Sequence, residues 1–312
     1  MKLSRRSLLA LAFLPLLPGT AAAQFEVELA LDGATYLKFE PIMAHVKISN
    51  FSGHPIGLFN HKEKPWLSFY VSRPNGQQVD DLGVEYDLQQ AQIKAGDALT
   101  VHVNLTPVYN IRAPGLYRVM AIVHSATHNR EFKSNVRQFD LTSGRVIWQE
   151  TVVVAGTNAV AESTTTDTAK VNDKREPEDL RTYALLAHRV DRGERLYARV
   201  ESEAKNVVYG VIQLGVFVSL SKPETTIDRN SHLHVLHQVG SRTFSYVELT
   251  PDARLANQKA YSNLRSRPEL KADDTGFVSV VGGEQTYPNP ALLPLPDTQA
   301  APESPSAEGS KE

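Results

Sequence analysis

The 312-residue chain has no cysteine, and only three methionines and two tryptophans. Without a thiol there is no disulfide, no thiolate metal site and no cysteine nucleophile, so the fold must rest on its apolar core. Neither sign of charge dominates, with 33 Lys and Arg against 35 Asp and Glu. No apolar run is long enough to cross a bilayer of about 30 Å as a helix. The sequence also lacks a Gly-x-x-x-x-Gly-Lys phosphate loop, a Gly-x-Gly-x-x-Gly opening a helix and a Gly-x-Ser-x-Gly elbow. No catalytic residue and no cofactor is assigned, and an enzyme is not expected.

What is present begins with an export signal over residues 1–23. Lys2, Arg5 and Arg6 form a positive region, Leu8 to Leu17 an apolar one broken by Pro15, and Ala21-Ala22-Ala23 a small-residue cleavage site before Gln24. Ser4-Arg5-Arg6-Ser7-Leu8-Leu9 resembles a twin-arginine signal, which implies export after folding. Ordinary signals also carry paired arginines, so both routes stay open. No Cys follows the cleavage site to take a lipid anchor. Loss of the signal leaves 30 basic against 35 acidic residues, a net charge of −5. That balance argues against nucleic acid or an anionic membrane as partner, since both call for a basic face. The expected location is the periplasm or outside the cell.

From Phe25 onward the pattern is that of strands. Phe25 to Leu31 alternates with period two and stops at Asp32-Gly33. Further strands follow at Ile42 to Ser49, around Trp66 to Val71, from Ala98 to Leu105 and after Gly115. Val136 to Leu141 and Arg145 to Val154 read as a hairpin across Thr142-Ser143-Gly144. Seven or so short strands over about 130 residues predict a sandwich rather than βα units. Trp66 on one central strand, Tyr117 just after the corner Pro114-Gly115, Glu40-Pro41-Ile42 and Asn50-Phe51-Ser52-Gly53 resemble immunoglobulin-like or fibronectin-III-like domains of bacterial secreted proteins, over residues 25–155. The resemblance implies a domain that positions, spaces or binds. The inter-sheet cysteines of antibody domains are absent, so antibody-type recognition is not implied.

Residues 156–179 read as a flexible polar linker. A second domain over 180–284 carries an echo: Asp191-Arg192-Gly193-Glu194-Arg195-Leu196 returns as Asp228-Arg229-Asn230-Ser231-His232-Leu233, and more weakly as Asp273-Asp274-Thr275-Gly276-Phe277-Val278. The spacings are 37 and 45 residues, one small β unit each. The Asp-rich turn before each short strand resembles the blade repeat of β-propellers, although the length is too short to close a ring. A compact domain of repeated hairpins is the expectation, followed by a disordered tail over 285–312.

Three groups of side chains carry candidate chemistry. His232 and His234 share a strand face, and a bulge would bring His237 to join them around Zn or Cu. The alternative is a sheet face of stacked histidines, and no acid lies close in sequence to support a metal. His124 and His128 sit four apart in a strand and loop, where that spacing does not align them. Tyr109, in the loop Pro107-Val108-Tyr109-Asn110, is a candidate sugar platform, with Asp80 and Asp81 as a neighbouring acidic loop able to contact ligand or Ca²⁺. Trp148 falls inside a strand and reads as core.

The sequence thus predicts an all-β protein, an N-terminal Ig-like β-sandwich plus a second small β domain of repeated hairpins. Its expected role is that of an exported, non-catalytic binding or scaffolding protein of the cell envelope, its partner an envelope protein met at loops or sheet edges. The alternatives are a carbohydrate-binding accessory protein and a periplasmic metal-binding protein using the His232 cluster.

Overall fold

The computed structural model describes residues 25–60, 64–86, 88–125, 130–154, 179–190, 193–218 and 221–287. The export signal, the linker except Asp179, the tail beyond Tyr287, Asp191-Arg192 of the first echo and His128 lie outside the described residues. The described chain is all-β, with no helix. The first group of strands is β1 (Phe25–Leu31), β2 (Thr35–Leu37), β3 (Met43–Asn50), β4 (Ile56–Leu58), β5 (Leu67–Ser72), β6 (Ala91–Ile93), β7 (Ala98–Asn104), β8 (Gly115–Ser125), β9 (Arg130–Lys133) and β10 (Arg137–Thr142). The second is β11 (Arg145–Val153), β12 (Leu180–Val190), β13 (Gly193–Ser202), β14 (Val207–Phe217), β15 (Glu224–Ile227), β16 (Leu233–Gln238), β17 (Thr243–Leu249), β18 (Leu255–Ser262), β19 (Glu269–Ala272), β20 (Val278–Val281) and β21 (Glu284–Thr286).

In the first group, sheet β1-β3-β7 faces sheet β2-β10-β8-β5, with β9 also paired to β8. Alternation sends Phe25, Val27 and Leu29 of β1 and Ala44, Val46 and Ile48 of β3 into one core with Leu67, Tyr117, Val119 and Phe139. Trp66 is fully buried in it. Tyr117 donates its hydroxyl proton to the Ala113 carbonyl at 2.7 Å and stacks on Phe139, while the Arg73 guanidinium lies 4.1 Å from the Tyr117 ring centroid and donates to the Ala113 and Pro114 carbonyls. The Pro-Gly corner is thereby pinned by both side chains. Two sheet edges are closed by side chains instead of strands. The Asn135 amide exchanges both hydrogen bonds with the backbone of Leu29 on β1, and the Tyr109 hydroxyl does the same for Phe69 on β5.

The expected hairpin across residues 142–144 does not form. β10 stays in the first group, and β11 crosses over to pair antiparallel with β12. A tight turn sequence fits either outcome. The crossing is favoured because the half-buried Ile147 and Trp148 of β11 pack into the second core.

Beyond the crossing, meander β11-β12-β13-β14 and sheet β15-β16-β17-β18-β21 pack face to face through Tyr183, Leu185, Val200, Leu233, Val235 and Val247. Each of these sheets is covered on its other face too. Ala184, Leu186 and Tyr197 bury against Leu37 and Phe39 of the first group. Leu236, Phe244 and Tyr246 bury under hairpin β19-β20 through Leu270 and Val280. That double coverage explains the unbroken buried run from Arg181 to His188, in which no alternation could be read. The echo turns are real local structures: Asp228 accepts the backbone N–H of Asn230 and His232, and Asp273 those of Thr275 and Phe277. The two turns also touch, the Arg229 N–H bonding the Gly276 carbonyl. Gln285 and Thr286, expected in the tail, instead close the sheet as part of β21.

Candidate functional site

The Asp228 turn launches β16 and with it the histidine-rich strand. His232 and His234 do share a face, on which Glu248 stands opposite His234 and Tyr246 opposite Leu236. His232 Nδ1 meets Glu248 Oε1 at 2.8 Å and His234 Nδ1 meets the Tyr246 hydroxyl at 2.8 Å. His234 Nε2 stands 3.4 Å from the Asp228 carboxylate, and Tyr246 donates to Glu248 at 3.4 Å. Burial, with Glu248 alongside, raises the Tyr246 hydroxyl well above the ordinary range. His234 Nε2 is buried and makes no hydrogen bond, so Asp228 acts on it only as a nearby charge.

β16 pairs with β17 without a register shift, so His237 points to the opposite face from His234. It cannot join a metal site with the other two. Both its ring nitrogens lack hydrogen-bond partners, and burial pushes its pKa down to about 4. Among the described residues no group of three or more His, Asp and Glu is placed to hold a metal ion. Contrary to expectation an acid does lie close in sequence, Asp228 four residues before His232, while Glu248 comes from the facing strand, a relation that one strand's sequence does not reveal.

Tyr109 is not a platform for sugar. It is buried, its hydroxyl spent on Phe69 and on Tyr86 at 2.9 Å, because the unpaired edge of β5 needs a donor and an acceptor there. Asp80 and Asp81 are exposed loop residues; Asp81 accepts the Gly83 N–H at 2.7 Å as a turn cap, and the Asp80 carbonyl accepts the Asn110 N–H. The two loops do meet, Asp81 forming an isolated antiparallel bridge with Tyr109, but the Tyr109 side chain itself is buried in the core. Trp148 is half-buried in the second core.

Sequence reasoning missed two places. One is a cleft of about 1340 Å³ between the two groups of strands. Phe39, Pro41 and Arg112 line it from the first group, and the start of β14 with the turn Asp252-Ala253-Arg254 from the second. Gly210 of β14 lies so close to Ala253 that a Cβ there would come within 2.8 Å of the alanine methyl, so the cleft floor is tightly made. Among the described residues four non-glycine positions adopt positive φ, and three of them, Phe39 (70°), Asn206 (50°) and Ala253 (58°), line this cleft. For Phe and Ala that conformation is costly and must be held by its surroundings. Arg181 is held over Tyr209, its guanidinium 3.8 Å from the ring centroid, by Asp179 and Asp252. Burial raises the Asp179 carboxyl, but hydrogen bonds from Lys205 and Arg181 outweigh it and hold the pKa below the usual range. Sequence offers only a weak signal here, since positive φ at Phe or Ala has no composition cue.

The other missed place is the outer face of sheet β1-β3-β7. His45 of β3 and His102 of β7 are directly paired in register, and their Nδ1 atoms are in hydrogen-bond contact. His45 Nε2 contacts Asp32 in turn. Alternation puts each histidine on a wet face, but residues 57 apart are matched only by the register.

No protein-family model and no curated protein matches the sequence. Among solved structures it is similar to an alkylpurine DNA glycosylase of Pseudomonas fluorescens bound to DNA containing an abasic site analog, with a TM-score of 0.26 and 14% identity over 39% of this chain and 31% of that one. It is also similar to a mutant beta-glucosidase from Listeria innocua in complex with laminaribiose, with a TM-score of 0.24 and 18% identity over 38% of this chain and 16% of that one. The chain thus spans under a third of either. Likenesses this shallow carry no argument about its fold or chemistry.

Proposed function

We propose that this is an exported, non-catalytic binding or scaffolding protein of the cell envelope, which holds an extended segment of a protein partner in the cleft between its two groups of strands. The observation that carries the reading is the concentration of strained, non-glycine backbone around that cleft. Strain of this kind persists where the surrounding structure is built to hold a shape for use. β14 supports the choice of ligand. It is the last strand of its sheet, and among the described residues its outer edge has no strand partner. An extended peptide adds to such an edge by main-chain hydrogen bonds. A glycan is the poorer fit, because the aromatic rings in the cleft already carry guanidinium groups: Arg181 over Tyr209, and Arg112 5.8 Å from Phe39. The immunoglobulin-like resemblance of the first domain agrees with a role in positioning rather than catalysis.

Val207 and Leu255 on the cleft wall are each 42% exposed, so charging them should leave the fold intact. The tagged full chain and a Val207→Asp/Leu255→Asp variant, cross-linked in envelope extract, provide the test. A stoichiometric protein held by the wild type and reduced at least tenfold in the variant is expected. Equal retention by both removes the cleft as the binding surface, and retained glycan without protein moves carbohydrate binding to first place.

A further inference from the structure

The histidine pair on sheet β1-β3-β7 has an open approach, which the buried His234 and His237 lack. His102 is exposed, and β7 ends its sheet. The two rings meet edge to face, with centroids 4.6 Å apart. Behind them, Asp32 fixes the tautomer of His45. A carboxylate accepts the Nε2 proton, which leaves Nδ1 of His45 as a lone pair directed at His102. An imidazole oriented by a carboxylate on its far nitrogen is the arrangement that metal-ligating histidines use. Lys47, the nearest cation along the same face, is paired with Glu28 at 3.8 Å.

We propose that Nδ1 of His45 and Nδ1 of His102 together bind one divalent late first-row cation, copper(II) or zinc, with Asp32 as the orienting carboxylate and water in the remaining positions. Two imidazoles suit those ions and not Ca²⁺ or Mg²⁺, which require oxygen ligands. Binding moves the His102 proton from Nδ1 to its other ring nitrogen, so neutral rings release no net proton. The two nitrogens must part to roughly 3 Å to accept bonds of about 2.0 Å each. His102, at the surface of an edge strand, can turn to allow it. The site needs only two protein ligands, with Asp32 on the ring rather than on the metal.

Copper(II) is the probe, titrated into the full chain bearing no polyhistidine tag and followed by calorimetry and electron paramagnetic resonance. One equivalent with the splitting of two imidazole nitrogens is expected. His45→Ala or His102→Ala should each weaken it at least tenfold and abolish the two-nitrogen pattern. Asp32→Asn should weaken it about tenfold with the pattern kept, as loss of an orienting carboxylate does. His232→Ala/His234→Ala should change nothing. All three residues are surface groups, and circular dichroism of each variant reports whether it is folded. A first equivalent unchanged in His45→Ala/His102→Ala overturns the site: the histidines would then be a proton-sharing pair and the copper an adventitious ion only.

Discussion

Strands β3 and β16 both carry histidines at strand spacing, and the two sets have opposite fates. The sheet of β3 has one dry face, so His45 and its partner His102 stand in water while Val46 beside them is buried. The sheet of β16 is covered on both faces, so His234 and His237 are both buried although they point in opposite directions. The chemistry open to a strand residue is therefore decided by how many layers stack on its sheet as well as by its place in the alternation. A wet imidazole stays free to bind, whereas a doubly covered one must be hydrogen-bonded or held neutral.

The sharpest way to break that contrast is to delete adjacent side chains. In β12, Leu185→Ala and Leu186→Ala should each cost about 2–5 kcal/mol, because both faces are core. In β3, Val46→Ala should be costly and Lys47→Ala should stay within about 0.5 kcal/mol. Urea midpoints measure all four, and a neutral Leu186→Ala would show that the layer between the two groups contributes nothing. The next effect is on the order of 3 kcal/mol and comes from His237. Its folded pKa of about 4 lies below the ordinary 6.5, so the folded state binds fewer protons between these values. That stability is whole above pH 6.5 and is lost as pH falls towards 4. His237→Leu should flatten the acid limb of a urea-midpoint profile, and a wild-type midpoint unchanged between pH 7 and 4.5 contradicts the account.

The smallest effect lies where the two groups meet. Burial raises Glu40 from 4.5 to about 7, only partly opposed by hydrogen bonds from the Leu37 N–H and Tyr197 and by the Arg195 charge. The folded state binds the extra proton, so this stability is whole below pH 4.5 and is lost as pH rises through 7. Glu40→Gln keeps an acceptor for the Leu37 N–H and should add about 1 kcal/mol at pH 8, after allowance for partial solvation, and nothing at pH 4.5. Equal thermal shifts at both pH values would exclude ionisation as the cause.

Much of the first group was legible because each strand has one wet face. The alternation of β1 and β3, the buried Trp66 and the bond from Tyr117 to the corner at Ala113 all follow from local pattern. In the second group the period disappears in β12, whose residues from Arg181 to His188 are all buried. Tyr109 was misplaced because a loop aromatic and an edge-closing aromatic have the same sequence context. The pairs His234–Asp228, His232–Glu248 and His45–His102 depend on register and turn packing, which a single strand does not encode.

The crossing of β11 has a further consequence for how the chain divides. β11 ends at Val153 and pairs along its length with β12, yet residues 155–178 intervene in the chain. Scission anywhere in that interval would leave nine residues of the amino-terminal fragment hydrogen-bonded into the ladder of the carboxyl-terminal one. The peptide could be cut while the particle stayed whole, its halves complementing each other as separate polypeptides. A fragment stopped at residue 155 would carry the reverse defect, a strand with Ile147 and Trp148 bared and its complement missing.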